Sequence, residues 1–205
     1  MIDTSNIDFE KGGGLVPAIV QHAQTGRVLM LGYMNAEAVE KTSREGLVTF
    51  YSRSKKRLWT KGETSGHTLA LAGMDIDCDR DTLLVRAIPA GPVCHTGTAT
   101  CFGDDVPDGI AMLAELERII DSRRQSDPSE SYVAKLNASG VRKIAQKVGE
   151  EGVETALAIV DEDDDALKGE AADLVFHLLV ALRARGLSIF DVADVLRARH
   201  VQARS

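Results

Sequence analysis

The stretch GVRKIAQKVGEEGVETALAIVDEDDDALKGEAADLVFHLLVALRARG, residues 140–186, decides the fold of this 205-residue chain. It contains no proline, and its apolar residues recur at helical spacing. Val141, Ile144, Ala145, Val148, Ala156 and Ile159 share one stripe of a helix expected over 139–160. The acidic run DEDDD, 161–165, reads as a solvated turn whose later acids suit the N-terminus of a second helix over 165–185. Gly186 stops that helix, and Ser188 caps another over 188–199. A further helical pattern covers 109–124. From about residue 109 onward the chain is therefore expected to be an all-α helical bundle.

Composition changes near residue 105. Before it, LVTFYSR (47–53), TLALAGMDID (68–77) and TLLVRAIPAG (82–91) are β-branched and punctuated by glycine, which reads as strands. One helix interrupts them over 35–45, with Asn35 as its N-cap and Gly46 as its stop. This half is expected to be α+β. The bridge FGDDVPDG, 102–109, is polar and contains Pro107, so the domain limits are placed at 1–105 and 106–205. No internal repeat or low-complexity tract is visible.

With 44% hydrophobic and 27% charged residues, the chain falls in the ordinary soluble class. Its start, MIDTSNIDFEKGGG, has no basic-then-apolar signal, and no apolar run approaches the roughly 20 residues that span a bilayer, so a cytoplasmic location is expected. A net charge of −7 argues against general attraction to nucleic acid or an anionic membrane. A phosphate-bearing substrate must then be held by local basic groups or by bound cations.

The three cysteines, Cys78, Cys94 and Cys101, lie within 24 residues, in the polar strings DCDRD (77–81) and PVCHTGTATCF (92–102). Three thiolates can hold Zn²⁺ and leave its fourth position open to water; His95 could instead close it. Free cysteines are more often small buried hydrophobes, but none of these stands in an apolar run. An odd count argues against a disulfide framework. The spacings of 16 and 7 do not match a zinc finger, so any site is assembled by the fold or between subunits. In an extended DCDRD, Asp77, Asp79 and Asp81 emerge on one face and Cys78 on the other. A hard cation such as Mg²⁺ relieves the repulsion of three such carboxylates; a solvated acidic turn is the plainer alternative. Upstream, WTKGETSGH (59–67) gathers Lys61, Gly62, Thr64 and Ser65 as a possible phosphate cradle or simply a well-formed loop. SRSKKR (52–57) reads as a solvated hairpin end.

In the helical half, Lys147, Glu150, Glu151 and Glu154 form an arc at i, i+3, i+4 and i+7. On the next helix, Glu170, Asp173 and His177 share one side of an otherwise apolar segment, where charges are costly unless paired or bound to metal. Glu151, Glu154, Glu170 and Asp173 on facing helices make a carboxylate cage for Mg²⁺, or else a set of salt bridges with Lys147.

Taken together, WTKGETSGH, DCDRD and CHTGTATCF resemble phosphoribosyl-AMP cyclohydrolase over about residues 25–103. The resemblance implies Zn²⁺ on Cys78, Cys94 and Cys101, shared across a homodimer interface, and Mg²⁺ on Asp77, Asp79 and Asp81. It implies substrate contacts from Trp59, Lys61, Gly62, Thr64 and Ser65, and a Zn-activated water attacking the adenine ring with His95, or second His67, as base. ExxE (151–154) followed by ExxD (170–173) resembles the all-α nucleoside-triphosphate pyrophosphohydrolases. With RRQSDPSESYVAKL (123–136) and KIAQKVGEEGVE (143–154) it resembles phosphoribosyl-ATP pyrophosphohydrolase over about 110–200. That implies Mg²⁺ on Glu151, Glu154, Glu170 and Asp173, catalytic help from Glu150, and phosphate contacts from Lys143 and Lys147. The expected protein is a bifunctional enzyme of histidine biosynthesis acting on phosphoribosyl-ATP and then phosphoribosyl-AMP. Its rivals are a broader nucleotide pyrophosphohydrolase joined to the cyclohydrolase, and a non-catalytic zinc module with a helical dimerisation bundle.

Overall fold

In strand β1 (Val16–His22), Val16, Ala18 and Val20 are fully buried and the residues between them are half-buried, the period-two pattern of a strand with one face on a core. The computed structural model describes residues 2–103 and 109–203. They belong to two compact units, one on each side of residues 104–108. The domain limit expected at residue 105 falls on that segment and so lies outside the described residues.

In the first unit, β1 pairs antiparallel with β2 (Val28–Met34) and parallel with β6 (Leu83–Pro89). Strand β5 (Leu69–Ile76) lies antiparallel beyond β6, giving the order β2-β1-β6-β5. Strands β5 and β6, with β3 (Thr49–Ser52), occupy the stretches read as strands from sequence. β1, β2 and the partner of β3, β4 (Arg57–Thr60), were not singled out there. Pro17 obscures the first; it sits one residue before the parallel ladder begins at Ala18, where its missing N–H costs that ladder nothing. Helix α1 (Ala36–Glu45) follows the sequence closely: the Asn35 side chain accepts from the Ala38 amide at 2.9 Å, and Gly46 closes the helix at φ 69°. Buried Thr42 ties α1 to β3, its hydroxyl accepting from the Thr49 amide at 2.9 Å and donating to the Thr49 carbonyl at 3.2 Å.

Gly32 on β2 lets the Phe50 ring of β3 rest on the sheet; a Cβ there would meet the ring at 2.3 Å. Gly32→Ala is therefore expected to destabilise this unit by about 1–3 kcal/mol through overpacking. Trp59 is the chain's single tryptophan and packs 5.8 Å from Phe50, so its fluorescence reads the unfolding midpoint. An unchanged midpoint would mean that Phe50 moves aside without cost.

The second unit is all helical: α2 (Ala111–Arg123), α3 (Tyr132–Ala138), α4 (Val141–Asp161), α5 (Asp164–Ala184) and α6 (Ile189–Gln202). Ile120, Val133, Leu136, Ile144, Leu179 and Val180 form its core. α3 is additional to the sequence reading; at 7 residues it is too short to show a helical period, and Ser131 caps it. Gly140, at φ 84°, breaks the chain between α3 and α4, so the helix expected from 139 begins at Val141. The expected apolar stripe also shifts: α4 buries Ile144, Glu151 and Ala158, while Val141 and Ile159 are exposed. Asp163 caps α5, and Ser188 with Asp191 forms a capping box on α6. Buried Glu117 accepts from the Ile189 amide at 2.6 Å, and Arg183 pairs with Asp121 at 2.7 Å, fastening α2 to the end of α5 and the start of α6. Among the described residues, no helix is long and apolar enough to cross a membrane.

Candidate functional site

DCDRD is a hairpin turn, not the extended segment its alternation suggested. Pairing of β5 with β6 ends at Ile76 and Leu83, so the residues between them must reverse the chain. The Asp77 amide donates to the Thr82 carbonyl at 3.1 Å, and Asp77 Oδ1 accepts from the amides of Asp81 and Thr82 at 3.1 and 3.0 Å. Arg80 takes a left-handed conformation, φ 66°, to complete the reversal. The turn, rather than strand alternation, brings carboxylate oxygens of Asp77, Asp79 and Asp81 within 4.8 Å of one another. Cys78 is exposed in the same turn instead of on an opposite strand face. The sequence reading missed Lys11: its Nζ lies 3.0 Å from Asp79 Oδ2 and 3.2 Å from Asp81 Oδ2, and this contact holds the Asp79 carboxyl below its ordinary range. The pair is separated by 68 residues, so no local signal could have found it.

Cys94 and Cys101 occupy the loop after β6. The Cys101 amide donates to the Leu29 carbonyl of β2 at 2.8 Å, and the Cys94 amide to the Thr98 carbonyl at 3.0 Å. Thr96 Oγ1 donates to Cys94 Sγ at 3.1 Å; that hydroxyl, then the Thr96 amide, Thr98 and Cys101, draws the Cys94 thiol down to about 6. Burial, followed by the charge of Cys94, pushes Cys101 upward. His95 is exposed with Nδ1 3.9 Å from Cys94 Sγ. The His67 ring packs on Gly91, where an added Cβ would lie 2.8 Å from its Cδ2. The structure thus couples two thiols but does not add Cys78 to them. Among the described residues, no three metal-ligating side chains gathered within 4.8 Å include a cysteine.

The WTKGETSGH loop is tightly self-bonded. The amides of Glu63, Gly66 and Thr68 donate to the carbonyls of Thr60, Gly62 and Gly66, and that of His67 to Ser65 Oγ, so fewer N–H groups face an anion than a simple glycine-loop reading expects. Gly62 is required by close approach as well as conformation: at φ 84°, a Cβ would meet the His67 carbonyl carbon at 2.4 Å. Trp59 packs half-buried on Phe50, and Thr64 and Ser65 are exposed. Lys61 is buried at 8% exposure, and its charge acts on Cys101. In SRSKKR, Arg53 lies over the Tyr33 ring at 3.9 Å and Arg57 pairs with Glu63 at 2.5 Å, so only part of that hairpin end is simply solvated.

In the helical unit, carboxylate oxygens of Glu151, Glu154 and Glu170 come within 4.8 Å of one another. Glu151 is buried, and Lys147 Nζ reaches it at 2.7 Å and Glu150 at 3.0 Å. Both carboxyls are held below the usual carboxylate range by Lys147 first. Glu154 is exposed, and its carboxyl is pushed up by partial desolvation first and then by the charges of Glu151 and Glu170. A cation among these three oxygens would relieve that repulsion. Glu150 stands beside the cluster, bonded also to Gln146, which in turn takes Lys143. Asp173, expected in apolar surroundings, is exposed and outside the cluster. His177 on the same helix is buried, so Glu170, Asp173 and His177 do not share one environment.

Residues 30–103 match the family described as phosphoribosyl-AMP cyclohydrolase, and residues 113–200 match the family described as phosphoribosyl-ATP pyrophosphohydrolase. A curated relative from Xylella fastidiosa, called histidine biosynthesis bifunctional protein HisIE, is 58% identical over 195 residues, covering 95% of this chain and 93% of its own length. The chain belongs to this bifunctional family. Relatives of the same description from Salmonella typhimurium and Vibrio cholerae are 57% and 55% identical, covering 95% and 96% of this chain and 95% of their own lengths. The protein is a bifunctional hydrolase of histidine biosynthesis, with a cyclohydrolase domain in the sheet-containing unit and a pyrophosphohydrolase domain in the helical one.

Proposed function

We propose that the helical unit hydrolyses phosphoribosyl-ATP to phosphoribosyl-AMP and pyrophosphate, and that the sheet-containing unit then adds water to the adenine ring and opens it between N1 and C6. The observation that carries this reading is the gathering of Glu151, Glu154 and Glu170 in a unit without cysteine, while the coupled thiols Cys94 and Cys101 lie in the other. The donor sets fit different metals: three carboxylates suit Mg²⁺, and thiolates suit Zn²⁺. When bound, Mg²⁺ neutralises polyphosphate charge and Zn²⁺ makes a water nucleophilic near neutral pH.

The residues divide the remaining work. In the helical unit Glu151, Glu154 and Glu170, with Asp173 at the margin, would hold Mg²⁺. Glu150 would take the proton of the attacking water, and Lys147 and Lys143 would offset phosphate charge. In the sheet-containing unit Asp77, Asp79 and Asp81 would hold a second Mg²⁺. Lys61, Gly62, Thr64 and Ser65 would bind substrate phosphate, and Trp59 would support that loop from the core. His95, next to Cys94, is the first choice for accepting the proton of water and His67 the second. Cys94 and Cys101 would share Zn²⁺ with Cys78 of a second copy, since one chain brings only two thiols together; this makes a homodimer the working unit. Net charge −7 supports no nucleic-acid or anionic-membrane partner, and a cytoplasmic location is part of the same proposal.

The test is incubation of the purified protein with phosphoribosyl-ATP, Mg²⁺ and Zn²⁺, following pyrophosphate and the ring-opened product, with common nucleoside triphosphates in parallel. Both products are expected in equal amounts from phosphoribosyl-ATP. Faster pyrophosphate release from common nucleotides would favour a broad pyrophosphohydrolase instead.

A further inference from the structure

Tyr132, His177 and Glu151 form a chain of contacts linking three helices, and none of the metal-ligand or substrate assignments uses its imidazole. His177 on α5 is 5% exposed, and both of its ring nitrogens are engaged. Nδ1 lies 2.9 Å from the Asp173 backbone carbonyl, one helical turn back. A carbonyl can only accept, so these partners assign the proton to Nδ1. In the neutral ring Nε2 is then an acceptor, and the Tyr132 hydroxyl of α3 donates to it at 2.8 Å. The Tyr132 and Phe176 rings pack 5.9 and 5.2 Å from the imidazole, both edge-on, and fix its plane.

That nitrogen also lies beside Glu151: Nδ1, bonded to the Asp173 carbonyl, is 3.5 Å from Glu151 Oε1, the same oxygen that Lys147 reaches at 2.7 Å. Lys147 sits four residues before Glu151 on α4, whereas His177 approaches from α5. Two nitrogens on separate helices therefore lie against one oxygen of the buried member of the carboxylate cluster. We propose that His177, held in its Nδ1–H form by Tyr132, is a positioning residue that orients Glu151 and thereby sets the affinity of the α4–α5 cluster for Mg²⁺. This inference rests on reading that cluster as a Mg²⁺ site. Outer partners of metal-bound carboxylates commonly act in this way, because a carboxylate that is already oriented loses less freedom on binding.

The experiment compares full-length wild type with His177→Leu, His177→Asn, Tyr132→Phe and Glu151→Gln. Mg²⁺ binding to the metal-free protein is measured by calorimetry, and pyrophosphate release is followed as a function of Mg²⁺ concentration. His177→Leu is expected to weaken Mg²⁺ binding roughly 10- to 100-fold. It should raise the Mg²⁺ concentration for half-maximal rate by the same factor, with kcat restored at saturating Mg²⁺. His177→Asn keeps an amide donor near the Nδ1 position and should recover most of that loss. Tyr132→Phe, which leaves the imidazole in place, should show a smaller shift in the same direction and keeps the inference testable if His177→Leu fails to fold. Wild-type Mg²⁺ affinity in His177→Leu, or in Tyr132→Phe where the leucine variant does not fold, overturns the inference while Glu151→Gln is inactive. Undiminished pyrophosphate release by Glu151→Gln instead overturns the Mg²⁺ reading of the cluster, and the inference with it.

Discussion

Cys101→Ser is expected to abolish ring opening of phosphoribosyl-AMP, by more than about 100-fold, and to leave pyrophosphate release from phosphoribosyl-ATP near the wild-type rate. A loss of this size exceeds the range usual for outer partners of a metal, because in the proposed zinc site a ligand itself would be removed. The metal-binding form of cysteine is the thiolate, and a serine hydroxyl is not deprotonated near neutral pH, so the variant offers one charged ligand fewer. The local fold should persist. Its tether is the Cys101 amide bonded to the Leu29 carbonyl at 2.8 Å, which serine retains. Zinc per chain should fall in parallel with activity, and ring opening at the wild-type rate by a zinc-depleted variant would sink the catalytic-zinc reading. The same site provides a test of sharing between chains. Refolding a mixture of Cys78→Ser and Cys94→Ser proteins should recover part of the activity, since each mixed dimer would contain one intact thiolate set. No recovery in mixed dimers confirmed by mass would place all three ligands in one chain.

The second large effect concerns Glu154. Its carboxyl is exposed, yet it is pushed up by partial desolvation first and then by the charges of Glu151 and Glu170, so its ionised form is disfavoured in the folded protein. A raised folded-state value means that the native state holds this proton more tightly than the unfolded chain. The associated stability is present below the unfolded-state range and is lost as pH rises through the folded-state range. Near neutral pH the Glu154 charge therefore weakens the metal-free protein, and Glu154→Gln should raise the metal-free Tm. Glu151 makes a poorer probe of this point, because removing it would also strip Lys147 of its 2.7 Å partner. Catalysis should move the other way: with one of three clustered carboxylates gone, pyrophosphate release should fall by more than about 100-fold, as expected for loss of a metal ligand rather than an outer partner. Mg²⁺ should stabilise the variant less than wild type, because stabilisation by a ligand follows its affinity for the native state. Supplied phosphoribosyl-AMP should still be ring-opened at the wild-type rate. Pyrophosphate release that survives in Glu154→Gln would make the cluster structural.

The features legible along the chain were local. Asn35 and Gly46 bound α1 because a cap needs only the residue and its own first or last turn, and Ser188 opens α6 for the same reason. The long pattern over 141–184 declared two helices because a 3.6-residue period accumulates over many turns. The chemistry-bearing types, thiols and carboxylates in short strings, were legible as candidates. Which of them meet was not. The alternation in DCDRD suggested one strand face, but β5–β6 pairing turned it into a hairpin whose curvature gathers the three aspartates. Asp173 sits one turn from Glu170 on the same helix and yet lies outside the cluster that Glu170 joins, because the packing of α4 against α5 selects the facing residues. Lys11 with Asp79, and Tyr132 with His177, are separated by 68 and 45 residues. Such contacts depend on strand register and helix packing, which are decided by burial over the whole unit. No spacing along the chain encodes them; they arise when each unit packs.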